Sequence, residues 1–173
     1  MTQSGKEGAA PAGITGKYLV FRLASEEYGV NVKNVREILG RQIVTAVPQS
    51  PPQVKGVMNL RGKIVPVVDL RSHCGLEADS ANEQPCVIVL EVVRGNDLTL
   101  TGALVDSVCE VISLNASDVE TPPEFGEANL GHILGLAKWK GRVQILLDID
   151  QLFADWQPVS MQAVLNHAGR VHG

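Results

Sequence analysis

Aromatic side chains are scarce in this chain, at 4% of 173 residues, and basic residues do not outnumber acidic ones; the formal net charge is −4. A nucleic-acid partner selects for a basic face, and a base-stacking platform selects for aromatics, so neither mode of nucleic-acid binding is supported. Long apolar runs are missing too. None approaches the ~20 residues that cross a bilayer, so no membrane insertion is expected. Met1 to Gly16 carries a single lysine and no apolar core, unlike a secretory leader. Cysteine is limited to Cys74, Cys86 and Cys109, an odd number without metal-ligand spacing. That pattern favours reduced thiols in a cytoplasmic protein over a disulfide framework. No Walker-type Gly-Lys-Ser/Thr loop and no dinucleotide fingerprint occurs, so no cofactor and no metal is expected.

What is present is a soluble globular composition, 45% hydrophobic and 20% charged. Its length suits one ordinary domain or two small ones around a shared core. The chain is organised around Asn59-Leu60-Arg61-Gly62-Lys63-Ile64-Val65-Pro66-Val67-Val68-Asp69-Leu70-Arg71. A glycine turn leads into a short run rich in Val and Ile, which reads as a buried strand entered from a tight turn. The design returns at an offset of 79, where Gly56, Arg61, Gly62, Lys63 and Asp69 meet Gly135, Lys140, Gly141, Arg142 and Asp148. Upstream, Gly29 to Ile38 parallels Gly102 to Val111 at an offset of 73, and Ser50-Pro51-Pro52 is answered by Thr121-Pro122-Pro123. The matching features keep the same order, so the chain is an internal repeat. The strand is therefore architecture. Function is expected where the copies differ: Asn59, Arg61 and Pro66 stand against Lys138, Lys140 and Ile145.

In chain order, Met1 to Gly16 lacks periodicity and reads as a mobile tail. Tyr18–Leu23 and Tyr28–Val32 form a hairpin around a polar Ser25-Glu26-Glu27 turn. Val32 to Leu39 reads as one helical turn or a bent strand. Ile43–Val47 is a strand, broken by Pro48 to Pro52. Ser72 to Gln84 is a polar connector. Cys86–Val93 is the most apolar strand, turned at Arg94-Gly95-Asn96-Asp97 into Leu98–Val105. Asp148 to Trp156 and Met161 to His167 read as short helices. Two units of about 60–75 residues, each of five short strands, bury little alone. Closure into small barrels removes their edges. The first barrel is expected mainly over 30–80 and the second mainly over 85–150, with 17–29 as candidate strands to complete it. Together 17–155 form a single domain, and 156–173 a C-terminal tail or short helix.

Glu27-Tyr28-Gly29-Val30, Val35-Arg36-Glu37-Ile38, Gly56 to Gly62 and Ile64 to Arg71 resemble the CheW family of chemotaxis coupling proteins. The likeness runs from about Tyr18 to Phe153. It implies a mainly β fold of two intertwined five-stranded Src-homology-3-like barrels with one or two short helices. It also implies a non-catalytic adaptor, located at receptor arrays on the inner face of the membrane. Its partners would be the cytoplasmic tips of chemoreceptors and the regulatory domain of the histidine kinase CheA, which shares the fold. A CheW-like regulatory module of a chemosensory kinase or receiver-containing relative is the alternative. Carried over residue by residue, the receptor groove falls on Val35, Glu37, Gly56, Arg61, Val87, Gly102, Val108 and Val111, with Glu37 and Arg61 paired beside it. A kinase-facing surface falls on the first barrel around Arg36, Gly40, Val44, Gly62 and Lys63. The hairpin near Arg94 to Leu98 is longer than in typical members.

Arg61 in a turn is ordinarily a solvated charge. An Arg fixed by Glu37 becomes a directional contact that the parallel Lys140 and Glu110 pair cannot reproduce, because Lys does not form a bidentate carboxylate pair. The valines are core residues unless part of an apolar strip stays exposed. Gly56 and Gly102 suit close backbone approach, and in a groove they leave room for a partner. His73-Cys74 has no third group to orient a nucleophile, and His132 has no metal partner at useful spacing. Glu26-Glu27 and the Asp148/Asp150 pair read as solvated charge. No catalytic constellation results.

Overall fold

The computed structural model describes residues 14–74, 85–121 and 132–154, and the side chains of His73 and Arg94 lie outside what it describes. Eleven strands carry the fold: β1 (Gly16–Leu23), β2 (Glu26–Asn31), β3 (Val35–Leu39), β4 (Val54–Leu60), β5 (Lys63–Asp69), β6 (Cys86–Arg94), β7 (Asp97–Val105), β8 (Ser107–Leu114), β9 (Val119–Glu120), β10 (Ile133–Trp139) and β11 (Arg142–Leu147). Two single-turn helices, α1 (Leu70–His73) and α2 (Ile149–Leu152), follow β5 and β11. Each starts at a repeated aspartate. Asp69 Oδ1 accepts the Arg71 N–H at 3.1 Å, and Asp148 Oδ1 accepts the Gln151 N–H at 3.2 Å. The repeated Asp is thus a helix cap.

The strands form two sheets, in the orders β8-β1-β2-β11-β10-β9 and β3-β6-β7-β5-β4. Each repeat therefore gives its leading hairpin to the other sheet. β1 and β2 join β8 to β11, while β6 and β7 join β3 to β5. The joints are parallel pairings, β11 with β2 and β5 with β7, amid antiparallel neighbours. This corrects the allotment of 85–150 to the second barrel, since 86–105 lies in the first sheet. Each sheet curls back on itself through the chain that leaves its edge strand. After β8 a 3-10 turn leads to β9, which pairs with β10. After β3 the chain reaches Thr45, which bridges Val57 of β4 with N–H···O bonds of 2.8 and 2.9 Å.

Alternation along β1 and β6 builds three apolar layers. Tyr18 and Val20 point into the second barrel with Ile112, Leu114, Val119, Ala137 and Leu146. Leu19, Phe21 and Leu23 point the other way, into a seam shared with Ile88, Leu90 and Val92 of β6 and with Leu147, Ile149 and Phe153. Val87 and Val89 of β6 fill the first barrel with Met58, Val65 and Val67. Strands buried on both faces need apolar residues at every position, which is why Val87–Leu90 is an unbroken apolar run. Asp106 ties the two halves together: it accepts the Ala24 N–H at 2.6 Å and pairs with Arg71 at 3.3 Å.

Other sequence expectations are adjusted. Val32–Asn34 is a 3-10 turn that leads directly into strand β3. The strand expected over Ile43–Val47 shrinks to the Thr45 bridge, because Gly56 opposite it lies at a register shift and Pro48 follows. The tail ends earlier than expected, since Ile14 is buried and its carbonyl accepts the Tyr18 hydroxyl at 2.8 Å. The proposed helix at Met161 to His167 and most of the 72–84 connector fall outside the described residues.

Candidate protein-docking site

Arg61 and Gly62 are the two central residues of the β4–β5 hairpin, with φ of 52° and 87°. Positive φ at both marks a type I′ turn, which matches the twist of the flanking strands. A bulky residue at such an angle is uncommon. The turn aims Arg61 across the first barrel at β3, where its guanidinium donates to both carboxylate oxygens of Glu37, at 2.7 and 2.6 Å. That is the bidentate geometry only Arg provides. Hydrogen bonding from Arg61 holds the Glu37 carboxyl below its ordinary value. The Arg61 side chain keeps 70% of its surface exposed, so the guanidinium is fixed yet available. The second copy repeats the arrangement loosely. Lys140, at φ 53°, approaches Glu110 at 3.7 Å through one ammonium.

β3 and β8 are edge strands of the two sheets, and both border the seam. Val35 and Val108 are half-buried and pack against the seam core. A register shift between Val35 and Glu37 turns the later residues of β3, so that Leu39 packs into the first barrel. Val111 stands opposite Leu19 and Ile38 opposite Ile88, and both of those partners face the seam. Directly paired residues share a face. Ile38 and Val111, 45% and 54% exposed, therefore extend the strip begun by Val35 and Val108. Ile38 is absent from the sequence-derived residues, although the offset of 73 maps it onto Val111.

The other expected groove residues lie inside. Val87 is 1% exposed and belongs to the first-barrel core. A Cβ on Gly102 would sit 3.0 Å from Val87 Cγ1, and one on Gly56 would sit 2.0 Å from the Thr45 carbonyl oxygen. Both glycines admit close packing here. Of the kinase-facing set, Arg36 is exposed and pairs with Glu91 at 3.3 Å, and Gly40, Gly62 and Lys63 are exposed. Val44 packs against the first-barrel core, while its neighbour Ile43 is 90% exposed, the barest apolar side chain described. All five lie on the first sheet or on the chain leaving it.

Several candidates resolve into structure. Glu27 is buried, contrary to its reading as solvated charge. It accepts from Arg142 at 2.6 Å, Gln144 at 2.8 Å and Arg22 at 3.4 Å. It is the second residue of β2, paired with Gln144 of β11 across the parallel joint. Asp150 accepts the Val93 N–H at 2.8 Å. The Cys74 thiol is pushed up to about 12 by burial, far from a thiolate at neutral pH. Among the described residues no group of three or more His, Cys, Asp or Glu could hold a metal, and no helix is long and apolar enough to cross a membrane.

The CheW-like domain profile matches residues 17–157. Chemotaxis protein CheW of Klebsiella aerogenes is 37% identical over 139 residues, covering 80% of this chain and 81% of that protein. Its Thermotoga maritima counterpart is 31% identical over 140 residues, covering 79% and 87%. The crystal structure of the scaffolding protein TtCheW from Thermoanaerobacter tengcongensis superposes with a TM-score of 0.73 at 29% identity, covering 84% of this chain and 98% of that one. With its repeated half-units, exchanged hairpins and profile match over nearly the whole described region, this chain belongs to the CheW-like domain family.

Proposed function

We propose that the protein is a non-catalytic cytoplasmic adaptor that couples chemoreceptor tips to the histidine kinase CheA. The observation that carries the reading is the apolar strip Val35, Ile38, Val108 and Val111 on the seam face of two edge strands, with the fixed Arg61 guanidinium on the adjoining barrel. An exposed apolar strip marks a docking surface. A receptor tip of packed amphipathic helices would lay apolar side chains along it, and a pinned arginine would set register. The kinase regulatory domain would meet the first barrel around Arg36, Gly40, Val44, Gly62 and Lys63, with exposed Ile43 central to the contact. A scaffold transmits signal by binding differently to the two states of what it joins.

The test is co-sedimentation and pull-down of the full chain with a receptor-tip fragment and, separately, with the kinase regulatory domain. Ile38→Asp and Val111→Asp should abolish receptor binding while leaving the fold intact by circular dichroism. Ile43→Asp should act on the kinase arm alone. Unchanged receptor binding by both strip variants would sink the assignment.

A further inference from the structure

The two copies of the hairpin share a backbone but not a grip, and the difference lies two residues before each positive-φ residue. Asn59 Oδ1 accepts the Gly62 N–H at 2.7 Å, closing the Arg61–Gly62 turn from within. Its counterpart Lys138 extends instead to Glu120. Among the described residues no side chain accepts from the Gly141 amide. Arg61 and Lys140 have the same φ within a degree, 52° and 53°, yet one makes two charge-assisted bonds and the other a single contact at 3.7 Å.

We propose that Asn59 is a positioning residue: by bonding the Gly62 amide it holds the strained Arg61 backbone in place, so that the guanidinium reaches both oxygens of Glu37 and the first-barrel turn, unlike the equivalent turn at Lys140, presents a fixed docking charge. The physical argument is preorganisation. The Lys140 turn reaches the same φ without such a bond, so Asn59 does not create the left-handed angle; it restrains motion away from an angle that costs a bulky residue free energy. A side-chain oxygen on a turn amide does this directly, since Asn competes well for local backbone donors. Once the Cα–Cβ direction of Arg61 is set, fewer side-chain rotations must be frozen on pairing, and less entropy is lost when a partner binds. The role rests on the docking reading of Arg61 for its consequence, though not for its geometry.

The experiment uses the full chain. Asn59→Ala should move the NMR titration midpoint of the Glu37 carboxyl upward toward the ordinary carboxylate value. It should also weaken binding of a receptor-tip fragment by about 3–10-fold, as expected for loss of one hydrogen bond. Asn59→Asp, which keeps the acceptor, should bind within about two-fold of wild type. In an Arg61→Ala background, Asn59→Ala should cost no further affinity, an outcome a merely structural role would not give. An unmoved Glu37 midpoint, or an equal affinity loss with Arg61 already removed, overturns the proposal. A moved midpoint with affinity unchanged in both Asn59→Ala and Arg61→Ala sustains the positioning role and sinks the docking reading instead.

Discussion

The two barrels share a framework and differ in what fills it. At equivalent positions the first holds Leu100, Val65 and Lys63, and the second holds Glu27, Gln144 and Arg142. The first interior is purely apolar at this point. The second encloses a carboxylate bonded to an amide and to a surface guanidinium, and leaves Gln144 Oε1 buried without a partner. At the hairpin turn the polarity of the contrast reverses: the first barrel has the two-bond Arg61–Glu37 pair and the second the slack Lys140–Glu110 contact. A duplicated fold thus keeps its backbone devices in both copies and lets side-chain specialisation go separate ways. Buried ion pairs are weak contributors to stability. The Glu27 network is better understood as fixing geometry at the end of the second barrel than as added strength.

The largest effect should come from closing off the backbone approach. Gly56→Ala places a Cβ on the Thr45 carbonyl at a φ of +149°. It should destabilise by more than about 4 kcal/mol in urea unfolding. Gly135→Ala, where the near atoms are Val119 Cγ1 and the Glu120 carbonyl oxygen, should cost about 2 kcal/mol. Equal losses would mean that the two closures are alike after all.

Next is the Glu27 network. Glu27→Ala should cost about 3 kcal/mol, since it strands Gln144 inside the barrel. Installing the first barrel's residues together, Glu27→Leu with Gln144→Val, should be neutral or stabilising by about 1–4 kcal/mol. A double variant as unstable as Glu27→Ala would show that the network supports the fold. At the turn, Arg61→Ala should lower receptor-fragment affinity about ten-fold or more, with little change in stability because the pair is exposed. Lys140→Ala should leave both unchanged.

The smallest effect is the pH dependence of the pair. Because the folded value of Glu37 is lowered, its contribution is present above the unfolded carboxylate value and is lost as pH falls through the lower folded one. Receptor-fragment affinity should therefore be flat from pH 8 to about 5 and decline only below about 4. In Arg61→Ala the Glu37 midpoint should rise. Calorimetric titration across that range checks it.

The doubled pattern, the glycine turns and the pairing of Glu37 with Arg61 could be reached from residue order and family likeness alone. The hairpin exchange could not. Gly29 and Gly102 were matched at an offset of 73, but no local pattern says which sheet a strand joins, since β1 and β6 read as apolar strands wherever they pair. Val87 and Val111 look alike in sequence. One sits opposite Leu39, inside the first barrel, and the other lies on an edge strand. The burial of Glu27 is hidden from the sequence for the same reason, since it depends on Arg142 and Gln144, which meet it through the parallel β2–β11 joint.

By itself, the sequence determined the local chemistry. Glycine stands at the second central position of both repeated turns, aspartate caps each short helix, and alternation sets the two faces of each strand, all through forces acting within a few residues. Only the tertiary structure decided which faces are covered. Exchanging hairpins buries both sides of β1 and β6 while leaving one side of β3 and β8 exposed. The exposed apolar positions Ile38 and Val111 exist because two sheets must share one seam, and that seam ends at its edge strands.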